Sequence, residues 1–81
     1  MRTMALKKFD EQYAALPENL KRKIDKQIRY LILNLRHPSL HSKKYSETEN
    51  LWQARIDDNY RFYFKIDYET YILVLIKKHG D

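Results

Sequence analysis

The sequence predicts an α+β domain: two antiparallel N-terminal helices, then an antiparallel sheet built as a meander. Three observations carry this. Apolar residues recur at helical spacing in the first half of the chain, and after Pro38 they give way to runs rich in aromatic and β-branched residues. Those runs are separated by short turn-like segments, which make hairpins. Helices followed by an antiparallel sheet pack as two layers around one core.

Leu6, Phe9, Tyr13 and Leu16 share one face of a first helix. Pro17 interrupts it and suits the first turn of the next, where its missing N–H costs nothing. Leu20, Ile24, Ile28, Leu31 and Leu35 form the stripe of the second helix, with Lys21, Arg22, Lys26 and Arg29 outside it. His37-Pro38 is the expected stop, because the residue before proline is pushed out of the helical region. Met1 to Met4 is open between a short strand and a frayed start. Ser39 to Asn50 is mostly polar and reads as a loop. Leu51 to Ile56, Tyr60 to Ile66 and Tyr71 to Lys77 read as three strands, joined by Asp57-Asp58-Asn59 and Asp67-Tyr68-Glu69-Thr70. No internal repeat, linker or low-complexity segment divides the chain, so residues 1–81 read as a single domain.

Composition narrows the function. The chain has 81 residues, and a domain this short buries a modest core. It has no cysteine, which removes disulfides and thiolate zinc sites and is compatible with a reducing cytoplasm. One glycine excludes phosphate-binding glycine loops, which need several. The longest apolar run, Tyr71 to Ile76, is far too short to span a bilayer, and no secretory leader is visible. Sixteen Lys or Arg against eleven Asp or Glu give a net charge of +5, consistent with a polyanionic partner but weak without placement.

Placement comes from the register. Closing the first hairpin over Asp57 to Asn59 sets Trp52 opposite Phe64, Ala54 opposite Phe62 and Ile56 opposite Tyr60. Cross-strand partners share a face, so this face is the core. The other face carries Gln53, Arg55, Arg61, Tyr63 and Lys65, with Arg55 directly opposite Arg61. Like charges in that position destabilise a sheet, and an arginine pair is suited to gripping phosphate. The plainer reading is a solvated pair, with Asp57, Asp58, Glu47 or Glu49 reaching it from neighbouring loops. The third strand is expected to add Ile72, Val74 and Ile76 to this face, an apolar strip that calls for a cover.

His37 reads as a loop residue at a helix end. His41 and His79 lie in the basic segments His41-Ser42-Lys43-Lys44-Tyr45 and Lys77-Lys78-His79. Histidine suits proton transfer near neutrality, and two of them flanking an arginine pair would suit RNA cleavage. Their commoner fate is to be exposed and idle. Strict pleat alternation sets His79 on the face opposite Arg61, so a break in the strand, or Gly80, has to re-aim it. Ligand spacing for a metal is absent, and no metal or cofactor is expected.

Leu16-Pro17, the Ile/Leu helix, His37-Pro38-Ser39-Leu40, Lys43-Lys44, Leu51-Trp52-Gln53-Ala54-Arg55-Ile56 and Asn59-Tyr60-Arg61-Phe62 together resemble the RelE/ParE superfamily of bacterial toxins, over nearly the whole chain from Leu6. The look is nearest to RelE-like members of type II toxin–antitoxin modules. The resemblance implies two N-terminal helices packed on a twisted antiparallel sheet of three to four strands. For the RNase branch it implies a cytoplasmic, metal-independent endoribonuclease that cuts mRNA on the ribosome and inhibits translation. By position, Arg61 resembles the arginine that holds the scissile phosphate. Arg55 stands where RelE has a lysine of the catalytic face, and Gln53 where it has another. His79 takes the place of the C-terminal basic residue, histidine in YoeB-like members, and His41 falls near their glutamate. Arg55, Arg61, His79 and His41 are thus the expected catalytic residues, with Lys43, Lys44, Gln53, Lys65 and Lys78 as RNA contacts. The implied partners are a cognate antitoxin and ribosome-bound mRNA, with a homodimer possible and no membrane. A ParE-like toxin that poisons gyrase by binding, and an inactive RelE-fold binding module, are the alternatives.

Overall fold

A computed structural model describes residues 1–79; Gly80 lies outside the described residues. The elements run β1 (Arg2–Ala5), α1 (Lys7–Ala14), α2 (Glu18–Leu33), a 3-10 turn (Pro38–Leu40), β2 (Lys43–Ser46), β3 (Leu51–Arg55), β4 (Tyr60–Asp67) and β5 (Thr70–Lys78). The sheet order is β1-β5-β4-β3-β2. β1 runs parallel to β5 and the other pairs are antiparallel. The three expected strands are β3, β4 and β5. The expected antiparallel sheet of three to four strands is therefore corrected to a mixed sheet of five, with β1 preceding both helices.

Both helices press on one face of this sheet. Phe9 of α1 and Leu20, Ile24 and Leu31 of α2 join Ala54, Phe62, Phe64, Tyr71, Leu73 and Ile76 in one core. Phe62 and Phe64 have no exposed surface. Burial of each stabilises by about 1.5–3 kcal/mol. The α2 stripe is as predicted through Leu31, but the helix stops at Leu33, short of His37. Asn34 is extended and its Oδ1 accepts the Arg36 N–H at 2.9 Å, so a local turn competes successfully with another helical turn. Leu35 still packs on the core, now from the loop. His37 stacks on Tyr30 at 3.9 Å and accepts the Ser39 N–H through Nδ1, which makes it a cap for the 3-10 turn that buries Leu40.

Two side-chain amides tie the layers together. β1 pairs with β5 only as far as Leu73. Beyond it the β5 edge turns to α1. Gln12 donates to the Ile76 carbonyl at 2.9 Å and accepts the Ile76 N–H at 2.7 Å, replacing the missing strand. Gln27, 2% exposed on α2, donates to the carbonyls of Arg55 and Ser39, and its oxygen accepts the Ser39 hydroxyl. Of the four hydrogen bonds between these amides and main chain, two hold β5 at Ile76, one holds the end of β3 at Arg55 and one holds the 3-10 turn at Ser39. Among the described residues no helix is long and apolar enough to cross a membrane.

Candidate functional site

The face of the sheet turned away from the helices is open. The β3–β4 register is the predicted one, with Gln53 opposite Tyr63 and Arg55 opposite Arg61. The β4–β5 register departs from expectation. Tyr63 faces Leu75 but Phe64 faces Leu73, so Val74 is an extra residue, a β-bulge. One inserted residue reverses the alternation for everything after it. Ile76 consequently enters the core, 6% exposed, and the expected strip of Ile72, Val74 and Ile76 does not exist. Ile72 and Leu75 take its place on the open face. The same reversal puts Lys77 opposite Arg61 on that face. His79 follows it by two, its N–H bonded to the Asn59 carbonyl at 2.7 Å. The objection to His79 from strict alternation is removed by the bulge.

One end of the open face thus carries Arg55, Arg61 and Lys77 in adjacent register, with His79 one step beyond. The arginines are not free. Arg55 pairs through Nη2 with Asp58, whose side chain is 88% exposed. Arg61 donates through Nη1 to the carbonyls of Asp57 and Tyr60, clasping the hairpin that carries it. The solvated-pair reading is correct to this extent for Arg55. Asp57 itself builds the turn. Burial pushes its carboxyl pKa up, but the N–H groups of Asn59 and Tyr60 at 2.8 and 2.9 Å and the Lys23 ammonium at 3.2 Å outweigh that. The net result is a carboxyl below the usual range. The turn between the arginines is therefore rigid and tethered to α2.

The expected RNA contacts divide. Lys43, opposite Gln53, and Lys65, opposite Ile72, lie on the open face. Gln53 is there too but nearly buried, donating to the Tyr63 hydroxyl at 3.0 Å. Lys44 is opposite Trp52 on the helix side, its ammonium 5.0 Å from the Trp52 ring and 3.0 Å from Asn50 Oδ1. Lys78, opposite Tyr60, belongs to that side as well. His41 ends the 3-10 turn in the left-handed region, φ 46°, two residues before β2. It flanks Arg55 from the far edge, three strand spacings or about 14 Å from the β5 line that ends in His79. Among the described residues no three His, Cys, Asp or Glu gather as a metal set.

A further feature escaped the sequence reading. Tyr45, Leu51, Tyr63, Leu75 and Lys77 line a shallow depression in the open face. Its signal in the sequence is Tyr45, a lone aromatic in a polar stretch.

A five-stranded mixed sheet with two helices on one face is a fold found in solved toxins. The chain superposes on a YoeB/ParE toxin from Agrobacterium tumefaciens with a TM-score of 0.82 at 14% identity, covering 98% of this chain and 99% of that one. The archaeal RelE of a RelE–RelB complex from Pyrococcus horikoshii OT3 gives 0.81 at 19% identity, covering 98% and 94%. The YoeB of a dimer from Staphylococcus aureus gives 0.81 at 15% identity, covering 98% and 97%. At these identities the likeness is one of fold. Comparison with curated protein sequences returns no match. Residues 4–81 match the family described as ParE toxin of type II toxin–antitoxin system, parDE, and the chain belongs to that family. It is a toxin of a type II toxin–antitoxin system.

Proposed function

We propose that this toxin cuts mRNA on the ribosome, without a metal, at the basic end of its open sheet face. The observation that carries the reading is the row Arg55–Arg61–Lys77, with His79 beside it, on the face the helices leave uncovered. In this reading Arg61 holds the scissile phosphate. Its described contacts use Nη1 alone, which leaves the N–H groups of Nε and Nη2 to the phosphate. Arg55 joins it after giving up Asp58. An exposed ion pair contributes only about 0.2–1 kcal/mol, so a bidentate phosphate displaces it. The 2′-hydroxyl attacks the phosphorus, and the bond to the 5′-oxygen breaks. His79 or His41 takes the hydroxyl proton, and a water molecule gives one to the leaving 5′-oxygen. The guanidinium groups neutralise the charge that grows on the phosphoryl oxygens. The toxin acts in the cytoplasm and is restrained by a cognate antitoxin, as the RelE–RelB and YoeB–YefM complexes of the same fold support. It is also able to pair as the solved YoeB dimer does.

One observation favours a second reading. Both arginines already hold oxygens of their own hairpin, and the matched family is described by ParE. A ParE-like toxin would use this face to bind gyrase, with no chemistry. Tightly controlled expression separates the two. Cleaved transcripts with normally supercoiled plasmid support the nuclease. Relaxed plasmid with intact transcripts transfers the function to gyrase. Cells that keep growing with the folded chain abundant leave an inactive binding module.

A further inference from the structure

Of the residues that line the depression on the open face, only Lys77 enters the chemistry above. Five side chains line it, Tyr45, Leu51, Tyr63, Leu75 and Lys77, around about 80 Å³, room for one face of a planar ring. Its floor is apolar and fixed. Tyr63 is 6% exposed and its hydroxyl accepts from Gln53. Tyr45 stands edge-on against Tyr63, with centroids 5.0 Å apart and planes at 74°. Alternation from Lys43 places it on this face, and the register break, which sets Ser46 opposite Leu51, leaves Tyr45 without a cross-strand partner of its own. Yet Tyr45 is 55% exposed. A ring braced by a second ring and still half uncovered is a stacking platform.

Charge identifies what would stack. Lys77 forms the rim and faces Arg61 across one strand spacing, about 4.8 Å, and Arg61 faces Arg55 across the next. The apolar slot therefore borders directly on the row of cations. An aliphatic side chain of a protein partner would use the slot but has no need of the row. A nucleotide needs both, a platform for the base and cations for the phosphate.

We infer that the depression is a nucleobase seat, in which one base of single-stranded RNA stacks against Tyr45 over Leu51 and Leu75 while Lys77 and Arg61 hold its phosphate. This rests on the open face being the RNA-binding face. It adds that the toxin recognises an unstacked base next to the phosphate row, not the backbone alone.

The test is a titration of the full chain, by fluorescence anisotropy at low salt, with a labelled 2′-O-methyl trinucleotide and with the same sugar–phosphate strand lacking all three bases. The parent should bind the base-bearing strand about tenfold or more tightly than the abasic one. Tyr45→Phe should keep that preference. Tyr45→Ala should lose it while binding the abasic strand as the parent does, since the ring is exposed and its removal leaves the cations in place. Equal binding of both strands by the parent, or a Tyr45→Phe variant as weak as Tyr45→Ala, overturns the base seat and leaves the phosphate reading standing. Failure of the parent to bind either strand overturns both.

Discussion

Arg61→Ala separates the structural work of this side chain from its proposed chemistry. The structural part is the clasp on the carbonyls of Asp57 and Tyr60. Both acceptors lie at a half-exposed hairpin, where water replaces a lost donor in part. Two such bonds contribute about 1–2 kcal/mol net, and relief of repulsion from Arg55 offsets some of it. A domain of this size has roughly 4–12 kcal/mol of stability. Even a loss of 2 from the low end leaves about 97% of molecules folded. The chemical part is a preorganised donor to the transition state, about 2.7–4 kcal/mol, or a hundredfold to a thousandfold in rate. Thermal melts and single-turnover cleavage of ribosome-bound mRNA read the two separately. The expectation is a Tm lower by roughly 4–16 °C and a rate lower by at least a hundredfold at a temperature where the variant is folded. Arg61→Lys, which keeps charge but not the planar fork, should fall between. A folded Arg61→Ala variant that cleaves within tenfold of the parent would refute the clamp and leave Arg61 as a hairpin clasp.

Asp58→Asn removes the exposed partner of Arg55. Stability should change by less than about 0.5 kcal/mol, while RNA binding strengthens by up to about fivefold at low salt; unchanged or weaker binding would mean that Arg55 does not face the ligand. Asp57→Asn should lower Tm at about pH 7, because Lys23 and the turn N–H groups favour the charged form. A carboxyl lowered in the folded state stabilises above the unfolded value near 3.9 and loses that contribution as pH falls through the folded one, so parent and variant should converge once pH is below the folded value. A Tm gap that persists there would assign the effect to packing. Tyr68 sits at φ 55° in the β4–β5 turn and is 94% exposed. Glycine removes a left-handed penalty of about 1–2 kcal/mol without losing contacts, so Tyr68→Gly should raise Tm by several degrees, and a lowered Tm would count against the turn geometry.

What was legible in the sequence followed from alternation. From Trp52 to Ile66, β3 and β4 alternate apolar residues with more polar ones (Gln53, Arg55, Arg61, Tyr63, Lys65), so one register satisfies the core and Arg55 had to face Arg61. The helix stripes were legible for the same reason. β5 carries no such marker. Tyr71 to Ile76 is apolar throughout, so nothing in the composition reveals that Val74 is inserted and that Leu75, Lys77 and His79 change sides. β2 was missed, and β1 left open between a strand and a frayed start, because each has only four residues at a sheet edge and no clear apolar alternation. Their hydrogen bonds come from β5 and β3, not from any local preference. The division of the basic residues follows from this. Lys43 reaches the open face and Lys44 does not, because pleat parity becomes readable only once β2 exists. Gln27 and Gln12 look like surface residues in the sequence, and only the packing makes them ties between the layers.

The proposed activity is cleavage of ribosome-bound mRNA at the open face. Its most direct test is a reconstituted reaction: purified toxin, ribosomes stalled on a defined mRNA with an open decoding site, and mapping of the 5′ ends produced. The expected result is a single cut within the exposed codon, dependent on the ribosome and lost in Arg61→Ala. Intact mRNA under these conditions, from a toxin preparation that inhibits gyrase supercoiling, would contradict it.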